Sequence, residues 1–297
     1  MYLTGFADEA AEDIEGQIRA TQELGWKCIE SRSINKVNIV DLPESEFDNV
    51  CAKLDKAGIR VNCFGSAIAN WGCQITDPFD KTLDQIGRAI PRMKRLNCRL
   101  IRIMSYAVLK DRGPEDQMEE ERFCRLREIY KRFAGEGLLP VHENCMNYGG
   151  MGWTYTLKLV ENVPGLKLVF DTGNPVFTDD RTKPKPYPKQ SSWEFYKKVR
   201  DHIEYVHIKD GLWDNTSGQT TYTFPSEGQG EVIRIIQDLH ANGYDGGFSM
   251  EPHLAVVYHD FSAQVQNDSR YSSYIQYGRR FENILKQLKF PLNNIYL

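Results

Sequence analysis

The sequence predicts a single (β/α)8 barrel over residues 1–297, and three observations carry that reading. Short apolar runs alternate with helix-like stretches eight times without a break in composition. Links from helix to strand are tight and bear glycine, whereas links from strand to helix are long. Four of the apolar runs deliver a Glu, Asp or His at their C-terminal ends, the end at which a barrel builds its sites.

The pairs run in order. Strand 2–6 precedes helix 13–24, strand 28–31 precedes helix 45–57, and strand 60–64 leads to helix 79–96. Strand 100–104 leads to helix 117–134, strand 138–142 to helix 154–162, and strand 167–170, after a long loop, to helix 193–200. Strand 203–208 precedes helix 232–241, and strand 246–250 precedes a last helix, 271–288. The tight links include Leu24-Gly25-Trp26, Ala57-Gly58-Ile59 and Asn242-Gly243-Tyr244, where glycine fits the left-handed residue that commonly ends a helix. The long links are 65–78, 105–116, 144–153, 172–192 and 211–229. The proline-rich stretch Lys183 to Lys189 falls inside one of them and reads as a stiff loop rim, not a domain boundary.

With 41% hydrophobic and 26% charged residues, the composition is that of a globular protein with a large core. A net charge of -4 argues against a dedicated nucleic-acid binder. The seven cysteines include no CxxC pair, which suits free thiols in a reducing compartment. No basic and apolar leader and no membrane-length run is visible, so the expected location is the cytoplasm. A homo-oligomer is left open.

Glu143, Asp171, His207 and Glu251 are expected to converge on one divalent ion. Three carboxylates in one pocket would repel unless a dication neutralised them, and an oxygen-rich set with one imidazole suits Mn²⁺ first, with Mg²⁺, Co²⁺ or Zn²⁺ as alternatives. Such a centre can bind a carbonyl and a neighbouring hydroxyl while a glutamate moves the proton on the adjacent carbon. Glu143 and Glu251 come from different sides of the barrel, so a proton could leave one face of a sugar and return to the other.

These residues carry a resemblance. With Asp-Thr-Gly-Asn at 171–174, His-Ile-Lys-Asp at 207–210, Gly-x-Gly at 228–230 and Gly-Tyr-Asp-Gly at 243–246, nearly the whole chain resembles the sugar phosphate isomerase/epimerase superfamily with a xylose isomerase-like barrel. That superfamily includes ketose 3-epimerases, inosose-processing enzymes and, more distantly, endonuclease IV. The resemblance implies Glu143, Asp171, His207 and Glu251 as metal ligands, with Glu143 and Glu251 as the acid/base pair. Asn174 stands where ketose epimerases often have a His, and Trp213 where they have an Arg. Lys209 is the expected replacement cation, and Lys209, Asn174, Glu30 and Trp71 are the expected substrate contacts.

His142, His253 and His259 are read as bystanders or outer partners, and Gly228 and Gly230 as a phosphate cradle or merely a turn. The leading function is a metal-dependent isomerase or epimerase of a sugar or polyol ketone. A lyase or dehydratase using the same site is the alternative, ahead of a sugar-binding barrel without catalysis or a nuclease.

Overall fold

The computed structural model describes residues 1–256 and 267–290. Eight parallel strands form one sheet: β1 (Tyr2–Gly5), β2 (Cys28–Ser31), β3 (Arg60–Phe64), β4 (Leu100–Ile103), β5 (Leu139–Glu143), β6 (Lys167–Asp171), β7 (Ile203–Ile208) and β8 (Gly247–Met250). Their order is β1-β8-β7-β6-β5-β4-β3-β2. A parallel bridge from Phe6 to Glu30 joins the two outer strands and closes the barrel.

The strands are separated by α1 (Ile14–Leu24), α2 (Glu44–Ala57), α3 (Asp80–Arg95), α4 (Glu119–Ala134), α5 (Trp153–Asn162), α6 (Ser192–Val199) and α7 (Val232–Ala241). A last helix, α8 (Asn267–Gln287), follows β8. α1 shows why the chain turns where it does. The Asp13 carboxylate accepts the Gly16 N–H at 2.8 Å to start it, and Gly25, at φ 79°, ends it in the left-handed conformation. Among the described residues no helix is long and apolar enough to cross a membrane.

Strand alternation divides the core in two. Leu168, Phe170, Val206, Ile208, Phe248 and Met250 face outward into the layer shared with the helices. Val141, Val169 and Tyr205 face inward with Cys63 and Leu100, filling the barrel. Two residues further along three of these strands, on the same inward side, stand Glu143, Asp171 and His207. The neighbouring strands are in register there, Asp171 opposite His207 and His207 opposite Ser249. Strand period therefore brings residues 143, 171 and 207 to the inward side of the barrel mouth, with Glu143 opposite Val169 and Glu251 two residues beyond Ser249.

Two loops carry structure that the sequence did not announce. A short hairpin, Ser33–Ile34 with Val37–Asn38, follows β2, and a longer one, Gly211–Asp214 with Gln219–Tyr222, follows β7. Both are short, and the second is polar and largely exposed, so neither shows the apolar alternation that marks a half-buried strand. The proline-rich stretch is a pinned rim, as expected: Asp179 and Lys189 bridge across its base and pair at 2.8 Å.

Candidate metal centre

Glu143, Asp171, His207 and Glu251 each offer one ligand atom, all within 4.8 Å of one another. All four residues are buried. Glu143 Oε2, Asp171 Oδ2, His207 Nδ1 and Glu251 Oε2 have no hydrogen-bond partner. Arg102 and Lys209 offset part of the carboxylates' charge, but no hydrogen bond satisfies these four atoms, and atoms this close together can share one cation. Three carboxylate oxygens and one imidazole nitrogen fit a divalent cation of the Mn²⁺ or Mg²⁺ kind.

The rest of each side chain is firmly held. Asp171 Oδ1 accepts the N–H groups of Gly173 at 2.8 Å and Asn174 at 2.7 Å. Asn144 clamps the Asp171 backbone from both sides. Glu143 Oε1 accepts from the Asn174 amide at 3.0 Å, and Arg102 lies 3.2 Å from Oε2. Glu251 Oε1 accepts from Arg32 at 3.1 Å. His207 Nε2 lies 3.0 Å from Glu30, while its Nδ1 lies 3.4 Å from Glu251 and 3.7 Å from Glu143. The Lys209 ammonium sits 3.0 Å from both Asp171 Oδ2 and Glu251 Oε2, and donates its hydrogen bond to Asn174 Oδ1 at 3.1 Å.

These surroundings push the carboxyl groups apart. Burial raises Asp171 to about 6 despite the pull of Lys209, helped by repulsion from Glu251 and Glu143. Burial also works against ionised Glu143, but the positive charge of Arg102 and the nearby His207 outweigh it and hold that carboxyl at about 2. Lys209 and His207 likewise hold Glu251 well below the usual carboxylate range against burial. Burial opposes the imidazolium of His207, yet Glu30, Glu143 and Glu251 together keep it well above the usual histidine range.

The expected substrate contacts divide. Asn174 and Lys209 stand among the four acidic and imidazole groups. Trp71 lines a cleft of about 670 Å³ with Met146, Asn147 and Phe177, and none of the four acidic and imidazole groups is among its walls. Glu30 requires a correction: it is fully buried behind His207, bonded to Tyr205 and His207, and forms no pocket wall. Strand alternation points it into the barrel below the mouth.

His142 and His253 each lie against a side chain outside the group of four. His142 faces away from the barrel interior, 3.0 Å from Ser105 Oγ, and burial lowers it to about 4. His253 bonds Glu9 at 2.9 Å and lies 3.5 Å from Glu251. His259 lies outside the described residues. Gly228 and Gly230 turn their N–H groups onto the Asp210 carboxylate, so they shape a turn.

Sequence reasoning missed a ring of buried charge. Arg32 binds both oxygens of Asp8, at 2.9 and 3.0 Å, and Glu9 at 3.1 Å, as well as Glu251. The signals were present. Asp8-Glu9 closely follows β1, as the proposed ligands end their own strands. Arg102 interrupts an apolar run at an inward position, two residues after Leu100. Glu9 joins Glu251 and His253 in a second acidic group, but its oxygens are already taken by Arg32 and His253.

A family model described as xylose isomerase-like TIM barrel matches residues 18–267. No curated protein matches the chain. Among solved structures, D-psicose 3-epimerase with D-tagatose from Clostridium cellulolyticum H10 is 15% identical, with 97% of this chain and 99% of that one covered at a TM-score of 0.68. A xylose isomerase-like TIM barrel protein from Mycobacterium smegmatis in complex with magnesium is 15% identical, with 97% of each chain covered at 0.67. The "probable 3-DHS dehydratase AsbF" of Bacillus anthracis is 16% identical, with 92% of this chain and 97% of that one covered at 0.66. Likeness at these identities establishes the fold.

Proposed function

The chain belongs to the xylose isomerase-like TIM-barrel family, and from that premise we propose that it is a divalent-metal-dependent isomerase or epimerase of a sugar or sugar-like polyol ketone. The observation that carries the reading is the set of four buried ligand atoms on Glu143, Asp171, His207 and Glu251, within 4.8 Å of one another and without a hydrogen bond. A cation held there, Mn²⁺ first, would polarise the substrate carbonyl and stabilise an enediolate as its charge develops.

Glu143 and Glu251 come from opposite sides of the group and are the proposed acid/base pair. Their surroundings favour the ionised form of both, the form a base needs. The one that returns a proton to the other face must first take it up from solvent or a substrate hydroxyl. A carboxylate as weakly basic as Glu143 takes a proton from carbon only when the enediolate is strongly stabilised, so the reading depends on a bound cation. Lys209 and Asn174 are placed to meet substrate oxygens, Lys209 as the nearest positive charge. Bonds from Asn174, Arg102 and Arg32 keep the two glutamates from swinging away.

The Trp71 cleft favours one second reading. Lined by Trp71, Met146 and Phe177, it leaves room for a group departing from the β-carbon, as a lyase or dehydratase acting on a keto-sugar would require. The described cysteines are all free thiols, which supports a cytoplasmic setting. Solvent deuterium incorporation across ketoses, inososes and oxidised glycosides with added Mn²⁺ tests the proposal. Exchange with a rearranged sugar supports the isomerase or epimerase, release of a leaving group supports the lyase, and no label in any compound sinks the carbon-acid chemistry.

A further inference from the structure

Glu30 is a fully buried carboxylate whose one ion-pair partner among the described residues is His207. We propose that Glu30 is a positioning residue for the metal centre: it holds the Nε2–H of His207, so that the ring presents Nδ1 to the cation. The inference rests on the metal-centre reading above.

A hydrogen-bond chain through the barrel interior gives the direction. The Thr4 hydroxyl donates to Asn62 Oδ1 at 2.7 Å. That leaves the Asn62 amide N–H to donate to Tyr205 Oη at 2.9 Å. The Tyr205 proton then goes to Glu30 Oε2, also at 2.9 Å. Glu30 thus serves as the acceptor at this end of the chain, and the group 3.0 Å away that can donate to it is Nε2 of His207. Two aromatic rings flank the imidazole. Phe6 meets it edge-on at 5.0 Å and Tyr205 at 5.5 Å. Nδ1 is left facing Glu143 and Glu251 without a hydrogen bond. A carboxylate behind a ligating imidazole also makes the exposed nitrogen a better donor.

The test has two parts. Mn²⁺ is titrated calorimetrically into metal-free wild type, Glu30→Gln and Glu30→Leu, and ¹⁵N-histidine NMR is recorded on Zn²⁺-loaded wild type. The expected result is one ion per wild-type chain and a dissociation constant raised by about 10- to 100-fold in Glu30→Leu. Glu30→Gln, whose amide oxygen still accepts the N–H, should lose less. The NMR spectrum should show His207 protonated at Nε2 and coordinated through Nδ1. Mn²⁺ binding by Glu30→Leu as tight as wild type would overturn the inference while leaving the metal centre standing, as would coordination through Nε2. Wild type that binds no Mn²⁺ removes the metal centre and this inference together. Should Glu30→Leu fail to fold, the wild-type spectrum decides.

Discussion

Asp171 and Asp210 follow neighbouring strands at the same end of the barrel, and both are fully buried, yet their surroundings are opposite. Asp210 is saturated. Oδ1 accepts the N–H groups of Gly211 and Gly230, both at 2.8 Å, and Oδ2 those of Ser226 at 2.9 Å and Gly228 at 3.1 Å. Asp171 is half finished, since Oδ1 takes two N–H groups while Oδ2 has no hydrogen bond and only the Lys209 ammonium 3.0 Å away. One carboxylate ties down the loop after β7, and the other turns an oxygen toward the ammonium of Lys209. Burial and strand position do not separate the two roles. The count of satisfied lone pairs does.

The contrast breaks most sharply in activity. Glu143→Gln should lower solvent deuterium exchange by about 10²- to 10⁴-fold, the range expected for loss of a general base, measured by NMR on a substrate that exchanges with wild type. Asp171→Asn should weaken Mn²⁺ binding beyond the roughly 10- to 100-fold typical of an outer partner. Asp210→Ala should leave Mn²⁺ affinity within a few-fold of wild type but leave four backbone donors unpaired. At roughly 1–3 kcal/mol for each donor left unpaired, urea denaturation should show a loss of about 4 kcal/mol or more.

Proton linkage sharpens the comparison further. Binding a cation must expel the proton of His207 near neutral pH, and below about 6 also that of Asp171. Mn²⁺ affinity should therefore rise with pH by about tenfold per unit near neutrality and more steeply below about 6. Calorimetry in buffers of different ionisation enthalpy counts the protons. Without metal, the folded value of Asp171 lies above its unfolded value of about 3.9. Its contribution to stability is then fully present below about 3.9 and lost as the pH rises through about 6. In chelator at alkaline pH, Asp171→Asn should be no less stable than wild type, while Asp210→Ala should be less stable.

The smallest effect falls on the loop. A Cβ at Gly228 would lie 2.3 Å from Asp210 Oδ1 and 2.4 Å from the Gly211 nitrogen. Gly228→Ala should cost about 1–3 kcal/mol in overpacking, seen in thermal melts with Mn²⁺ affinity unchanged.

Much of this was legible in the sequence because the barrel writes its pattern locally. Glycine-bearing helix ends and apolar strands repeat at regular intervals, and a strand-final Glu143 or Asp171 is visible without coordinates. Glu30 and Glu143 look alike at that level, for each closes a short apolar run. Only the register of the closed barrel puts Glu30 behind the imidazole and Glu143 in front of it. Arg32 and Arg102 were hidden for a related reason. Their value lies in Glu251 and Glu143, far away in the chain, and no local period reports such a pairing. The hairpin bearing Tyr222, whose ring packs 5.1 Å from both Phe177 and His253, was read as plain loop because its strands are short and polar.

The most direct test is Mn²⁺ binding to metal-free protein, followed by calorimetry across Glu143→Gln, Asp171→Asn, His207→Asn, Glu251→Gln and Asp210→Asn. One ion per wild-type chain, with affinity collapsing in each of the first four and persisting in the fifth, is the predicted result. A wild type that takes up no ion, or four variants that bind it as well as wild type does, would contradict a shared centre at the barrel mouth.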